Sequence, residues 1–214
     1  MKPLAYLLIM FAVIGAVLMV RLSLPYIHLL PHTDFLQTKA FAYSVPIWRY
    51  SFYTHVFSSS FVLIAGIIQF VPYVVQRIPR LHRIAGYTYC AGILLISGPS
   101  GVVMAFYANG GTSARISFII LSLLWWFTTA RALQLARHKK WMDHVAWMAR
   151  SYALTLSAVT LRTYALGIGL LHLEIRPIHA YILISWLSWT VNLVIAEIWI
   201  RTGGPGKLID SRHQ

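Results

Sequence analysis

The chain has 214 residues, of which 58% are hydrophobic and only 11% charged, and its mean hydropathy is +0.67. That composition excludes an ordinary soluble domain and makes lipid the solvent. Lys and Arg number 18 against 5 Asp and Glu, a formal charge of +13. In a membrane protein such an excess marks the cytoplasmic loops, and without a soluble module bearing a basic, aromatic-studded face it gives no support for a nucleic-acid partner.

The first apolar run, about residues 3–20, follows Lys2 and ends at Arg21. It is long enough to cross the hydrocarbon, which takes about 20 residues. More apolar runs follow it, so it reads as a retained helix and not as a cleaved signal. Residues 21–50 form the longest connection, broken by Pro25, Pro31 and Pro46 and closing on Trp48, Arg49 and Tyr50, which read as an interfacial belt. His28, His32 and Asp34 could form a surface metal site, but Pro31 separates the two His and spoils a helical i,i+4 pair, which favours solvated loop residues.

The second span is expected over about 51–75. The face of His55 continues through Ser59, Val62, Gly66, Gln69 and Tyr73, a small and polar stripe. Helix packing explains the small residues but not an imidazole about one turn inside the membrane. A basic turn, 76–83, leads to the third span, about 82–106, where Gly86, Tyr89, Ile93 and Ser97 share the face of His82. The Gly98–Pro99–Ser100–Gly101 run predicts a kink. Cys90, the only cysteine, lies in this apolar segment, so no intrachain disulfide can form.

After an uncharged turn over 107–112, the fourth span runs over about 113–135, with Trp125 and Trp126 inside it and a strongly basic exit. The fifth, about 144–171, carries His144 and Arg162 eighteen residues apart. At about 3.6 residues per turn that is roughly five turns, which puts both on one face with Ser151, Thr155 and Ala158 between them. The sixth span, about 178–200, carries Asn192 and Glu197. The Gly-rich stretch 201–214 reads as a mobile cytoplasmic tail.

The fold class is therefore all-α: a polytopic membrane protein of six transmembrane helices in a single membrane domain, 1–214, with spans two to five as a four-helix core bundle. The 76–83 loop, the 131–143 loop and the tail hold most of the Lys and Arg, which places both termini in the cytoplasm.

Paired imidazoles on facing helices, with small residues beside them, are how a bundle holds a b-type haem. His82 with Gly86 nearby, and His144 with Ser151 nearby, fit that pattern at the cytoplasmic end. His55 is a candidate on the outer side, while His172 and His179 flank a short turn and read as interfacial. A histidine at a helix end is satisfied equally well by snorkelling or by a neutral hydrogen bond. Arginines inside a span face the bundle interior and find partners. Arg150 can pair with Glu197 as a clip that fixes helix register. Arg162 has no acid at its depth, so contact with a carboxylate, a haem propionate or a quinone stands against capping of its own backbone. No Gly-rich phosphate loop, G-x-S-x-G elbow or H-E-x-x-H motif is present, and the few acids cannot supply a paired-carboxylate hydrolase.

Three segments carry a resemblance. His55 with Gly66 and Gln69, then LHRIAG at Leu81 to Gly86, then HVAWMARSYALTLSAVTLRTY at His144 to Tyr164 resemble a family of predicted multi-pass membrane proteins from bacteria and fungi, catalogued as a domain of unknown function. The likeness covers spans two to five, roughly residues 50–172. It implies that His55, His82, His144, Arg150 and Arg162 are the functional set. The expected location of the chain is the bacterial inner membrane. The layout is also similar to membrane cytochromes of the b561 kind, although the fourth span, offering only His138, departs from their two-haem arrangement.

The expectation is an integral membrane protein that binds haem or takes part in redox-linked electron transfer, with a quinone or a membrane subunit as partner. The alternative is a cofactor-free assembly or transport component whose His and Arg line a polar pathway or a subunit interface.

Overall fold

The computed structural model describes residues 3–31 and 33–210, and among these it contains helices and turns but no strand. His32 lies outside the described residues, as does the Asp34 side chain; His28 is exposed. Span one is the helix Pro3–Ser23, span two Pro46–Gln69, span three Pro79–Ala105, span four Gly111–Arg137 and span six Pro177–Arg201. Span five is a pair of helices, Trp141–Thr155 and Ser157–Leu170, bent by 40°. By length and composition five helices can cross a membrane, or six with the bent pair counted as one span.

The ends of the helices follow from local chemistry. Pro46, Pro79 and Pro177 stand in the first turn of their helices, where a missing N–H leaves no intrahelical bond unmade. Gly110 and Gly111, with φ of 87° and 70°, take the left-handed conformation that turns the chain tightly from span three into span four. Span two starts earlier than its hydropathy suggests, at Pro46, and ends at Gln69. His55 therefore lies more than two helical turns inside.

Two departures from regular helix matter for the site. In span three the loosening expected at Gly98–Gly101 falls one turn earlier: Gly92–Ser97 is a π-helical turn, and Gly98–Ala105 is regular again. Pro99 has no N–H and crowds the carbonyl one turn before it, so the preceding turn widens to accommodate the ring. Span five is not the straight helix expected over 144–171. Thr155 Oγ1 donates to the Ser151 carbonyl at 3.0 Å; the Thr160 hydroxyl lies 3.2 Å from the Leu156 and Ser157 carbonyls and makes its shortest bond, 2.7 Å, to the Ser188 carbonyl of span six. Hydroxyls that bond back to the helix compete with its own ladder and bend it. His144 and Arg162 accordingly sit on different halves of a bent span and not on one continuous face.

Spans two to five close into the expected four-helix bundle. Span two packs on three, three on four and four on five, and the ring is closed where the Tyr152 ring of span five lies against Gly66 of span two. Span six lies along four and five, and span one along two and the second half of five. Val62, Tyr89, Ile93, Trp125 and Leu154 form the middle of the core, whereas Phe61, Leu95, Phe127 and Val194 point outward as a lipid-facing surface.

The 21–50 connection is folded over one end of the bundle. Tyr26, Leu36, Ala42, Trp48 and Phe52 form a second buried cluster, in which the Trp48 ring stacks on Phe52 with centroids 5.4 Å apart. Trp48 is thus a core residue of this cap and not part of an interfacial belt, while Tyr50 is exposed. At the opposite end, where a mobile tail is expected from residue 201, Gly204–Asp210 forms a short helix packed on Trp141–Thr155. Burial of Leu208 and Ile209 against the bundle gives it a reason to order.

Candidate functional site

The basic end of the bundle holds a cavity of about 270 Å³ whose walls include Gln69, His82, Arg83, Trp141 and His144, with Leu208 and Ile209 of the short tail helix closing one side. His82 comes from the first turn of span three and His144 from the first turn of span five. The two imidazoles singled out by the sequence therefore share one cavity. His144 Nδ1 lies 2.9 Å from the Ala132 carbonyl of span four. A carbonyl only accepts, so Nδ1 carries a proton, and in the neutral ring Nε2 keeps its lone pair. Gln69, buried at the end of span two, donates from Nε2 to the His82 carbonyl at 3.2 Å. Gly86 makes room for it, since a Cβ there would stand 3.1 Å from Gln69 Oε1.

The centre of the bundle is polar, although every helix around it is apolar. Tyr89 hydroxyl lies 2.8 Å from Ser151 Oγ and 2.8 Å from Thr155 Oγ1. Trp125 Nε1 donates to Thr155 Oγ1 at 2.9 Å, and Thr129 Oγ1 stands 2.6 Å from Ser151 Oγ. Spans three, four and five are thereby joined by hydroxyls and one indole. Ser151 and Thr155 were legible as part of the His144 face, and Tyr89 as part of the His82 face. Thr129 was not singled out and Trp125 was read only as part of the fourth span, yet polar stripes on facing helices in lipid need such partners.

Beyond this layer lies His55. Its Nδ1 is 2.8 Å from the Ser97 carbonyl, at the end of the π-helical turn, an oxygen that Ser100 Oγ also approaches at 3.2 Å. Again the carbonyl fixes the proton on Nδ1. The ring lies over Gly101, where a Cβ would meet Cε1 at 3.1 Å, and edge-on to Trp125 at 6.4 Å. Ser58 Oγ and Ser97 Oγ pair at 2.6 Å beside it. His55 is not brought to the cavity of His82 and His144, and His172 and His179 are both exposed.

The arginines separate cleanly. Arg150 meets Glu197 through two bonds, Nε to Oε1 at 2.5 Å and Nη2 to Oε2 at 3.1 Å, and lies over the Trp147 ring at 4.7 Å. This is the clip between spans five and six. Arg162 turns back on its own helix, Nη1 donating to the Ala158 carbonyl at 3.0 Å. Asn192, buried in span six, donates to the Ala153 carbonyl at 3.0 Å and to Thr160 Oγ1 at 3.2 Å, tying the bend in span five to its neighbour.

Among the described residues no three of His, Cys, Asp and Glu gather as a metal cluster. A bis-imidazole site needs only the two that share the cavity. Neither a curated protein nor a solved structure matches the chain. A family model does, the one described as "Predicted membrane protein (DUF2306)", over residues 52–200, a stretch that takes in spans two to six and all of His55, His82, His144, Arg150 and Arg162. The chain belongs to that family of membrane proteins.

Proposed function

We propose that this membrane protein is a haem-binding, redox-linked component in which His82 and His144 are the axial ligands. The single observation that carries the reading is that these two imidazoles, from the first turns of spans three and five, line one cavity. A haem held there would supply one-electron transfer, with a quinone or a membrane subunit as partner.

The residues around it have identifiable tasks. The Ala132 carbonyl holds His144 Nδ1–H and so orients the ring with Nε2 as the donor, the arrangement usual for a metal-bound imidazole. Arg83 on the cavity wall supplies a cation suited to a propionate. The cavity, at about 270 Å³, is tighter than the roughly 300–1,000 Å³ usual for cofactor pockets. Leu208 and Ile209 form the wall that can give, since they belong to a short helix outside the bundle. Arg162 and His55 lie in the other half of the bundle and are not part of this site. The clustering of 76–83, 131–143 and the tail at the cavity end supports cytoplasmic termini, in a bacterial inner membrane.

Titration of the purified chain with hemin tests the reading. One equivalent should bind with a sharp, low-spin Soret band, and His82→Ala and His144→Ala should each lose it. A double variant that takes up hemin as the native chain does would overturn it.

A second reading, a cofactor-free component passing protons or anions, is favoured by a different observation. The Tyr89, Ser151, Thr129, Thr155 and Trp125 network lies between the His144 end and the His55 end of the bundle. Proton uptake by the chain in sealed vesicles, abolished in Tyr89→Phe without loss of fold, would select it.

A further inference from the structure

The end of the bundle opposite His82 and His144 carries a second cavity, of about 250 Å³, and its chemistry is cationic. Lys39 lies in its wall with only 5% of its surface exposed. Its Nζ donates to the Tyr107 carbonyl at 2.6 Å and to Asn109 Oδ1 at 2.7 Å, both neutral acceptors. The Phe35 ring lies 5.6 Å from the ammonium on another side. Arg115, in the first turns of span four, lines the same cavity and has no hydrogen-bond or ion-pair partner among the described residues.

Two cations therefore share one cavity, and no carboxylate reaches either of them among the described residues. A buried charge held only by neutral groups is costly, and a second like charge beside it adds to the cost. Burial first, and then the charge of Arg115, pull the Lys39 ammonium down to about 8. Structural anchoring of the 34–44 segment accounts for two of the three N–H groups of Lys39. It accounts for neither the third nor the guanidinium fork of Arg115.

The rest of the cavity suits an anion. Gly111 opens span four with φ of 70°, and a Cβ there would meet nothing within 4 Å, so the chain leaves open space at the helix start. The free N–H groups of that first turn carry the positive end of the helix dipole. We propose that this cavity binds an oxyanion of the phosphate class, a free phosphate or the phosphodiester of a lipid headgroup, between Lys39 and Arg115. The site is independent of the haem reading, since it shares no residue with the His82 and His144 cavity.

The test uses the full-length chain, delipidated in a neutral detergent. Binding of inorganic phosphate, of dioctanoyl phosphatidylglycerol and of uncharged dioctanoylglycerol is followed by the shift in thermal unfolding over a ligand titration. A phosphate-bearing ligand should stabilise the native chain and dioctanoylglycerol should not. Arg115→Gln, at an exposed position that leaves the fold intact, should weaken binding roughly tenfold or more, the scale of a lost charge-assisted bond. Lys39→Met is the second variant, with the same direction expected. Saturation by inorganic phosphate alone would assign the free ion, and binding of phosphatidylglycerol alone the lipid headgroup. If Arg115→Gln binds phosphatidylglycerol and phosphate as tightly as the native chain, or if neither ligand binds the native chain, the proposal fails.

Discussion

The Tyr89 hydroxyl of span three stands 2.8 Å from Ser151 Oγ of span five, and neither residue retains exposed surface. Around that contact the bundle has hydroxyls where hydropathy alone would place only hydrocarbon. In lipid a polar side chain with no partner costs several kcal/mol, so such groups must find one another across helices. The network fixes how spans three, four and five are rotated about their axes, and with that rotation it turns His82 and His144 toward one cavity.

Tyr89→Phe removes one hydroxyl and keeps the ring. Ser151 keeps Thr129, and Thr155 keeps Trp125, so no group becomes wholly unpaired. The expected loss is about 1–2 kcal/mol, read from unfolding in mixed detergent micelles. A neutral result would mean that ring packing alone sets the contact.

Gly66 lies directly against the Tyr152 ring. A methyl there must displace an aromatic side chain that is itself buried between Tyr89 and Phe70. Gly66→Ala should destabilise by about 1–3 kcal/mol, the usual cost of overpacking, and Gly66→Leu should prevent closure of spans two and five. Gly167, where an added Cβ meets nothing within 4 Å, is the matched control and should tolerate Ala.

Glu197→Gln keeps the shape of the clip and removes its charge. Arg150 then faces a neutral amide while still lying over Trp147. The pair is partly exposed, with 24% and 36% of the two side chains accessible, which limits the loss to about 1 kcal/mol. A double-mutant cycle with Arg150→Gln should return a coupling of that order, and additive losses would show that the two side chains act separately.

Much of this arrangement is legible before any coordinates. Of the faces of His55 and His82 read from periodicity, Val62, Gly66 and Gln69 on span two and Tyr89, Ile93 and Ser97 on span three are buried, whereas Tyr73 lies past the end of span two and is exposed. The pairing of Arg150 with Glu197 follows from depth and charge alone. The bend at Leu156 does not, because it depends on whether Thr155 and Thr160 bond to their own helix or to a neighbour, a choice made by tertiary packing. The burial of Trp48 and Lys39 is hidden for a related reason. A Pro-broken connection reads as solvent-exposed until its aromatics are seen to fold over the end of the bundle. The order in Gly204–Asp210 arises from contact with span five, which no local signal in a Gly-rich stretch conveys.

Lys39 gives a pH dependence with a definite sign. Its ammonium is held down to about 8 in the folded chain, against 10.5 for an unperturbed lysine. Between those values the unfolded chain binds the proton more tightly, so the stability of the ligand-free protein should rise with pH over that window. Arg115 is the other charged group in the cavity wall among the described residues. Phosphate affinity should fall over the same range as the ammonium is lost. Unfolding midpoints at pH 7.5, 8.5 and 9.5, compared with Lys39→Met, read both effects. A midpoint independent of pH in the native chain would contradict the burial of this charge.

The most direct measurement is the dithionite-reduced minus air-oxidised visible spectrum of the protein expressed with ample haem supply and purified in detergent, with iron determined on the same sample. The account predicts sharp reduced bands of a six-coordinate b-type haem, about one iron per chain, and loss of both in His144→Ala with the helical circular dichroism unchanged. A colourless native protein free of iron, or a His82→Ala/His144→Ala chain with the native spectrum, would contradict it.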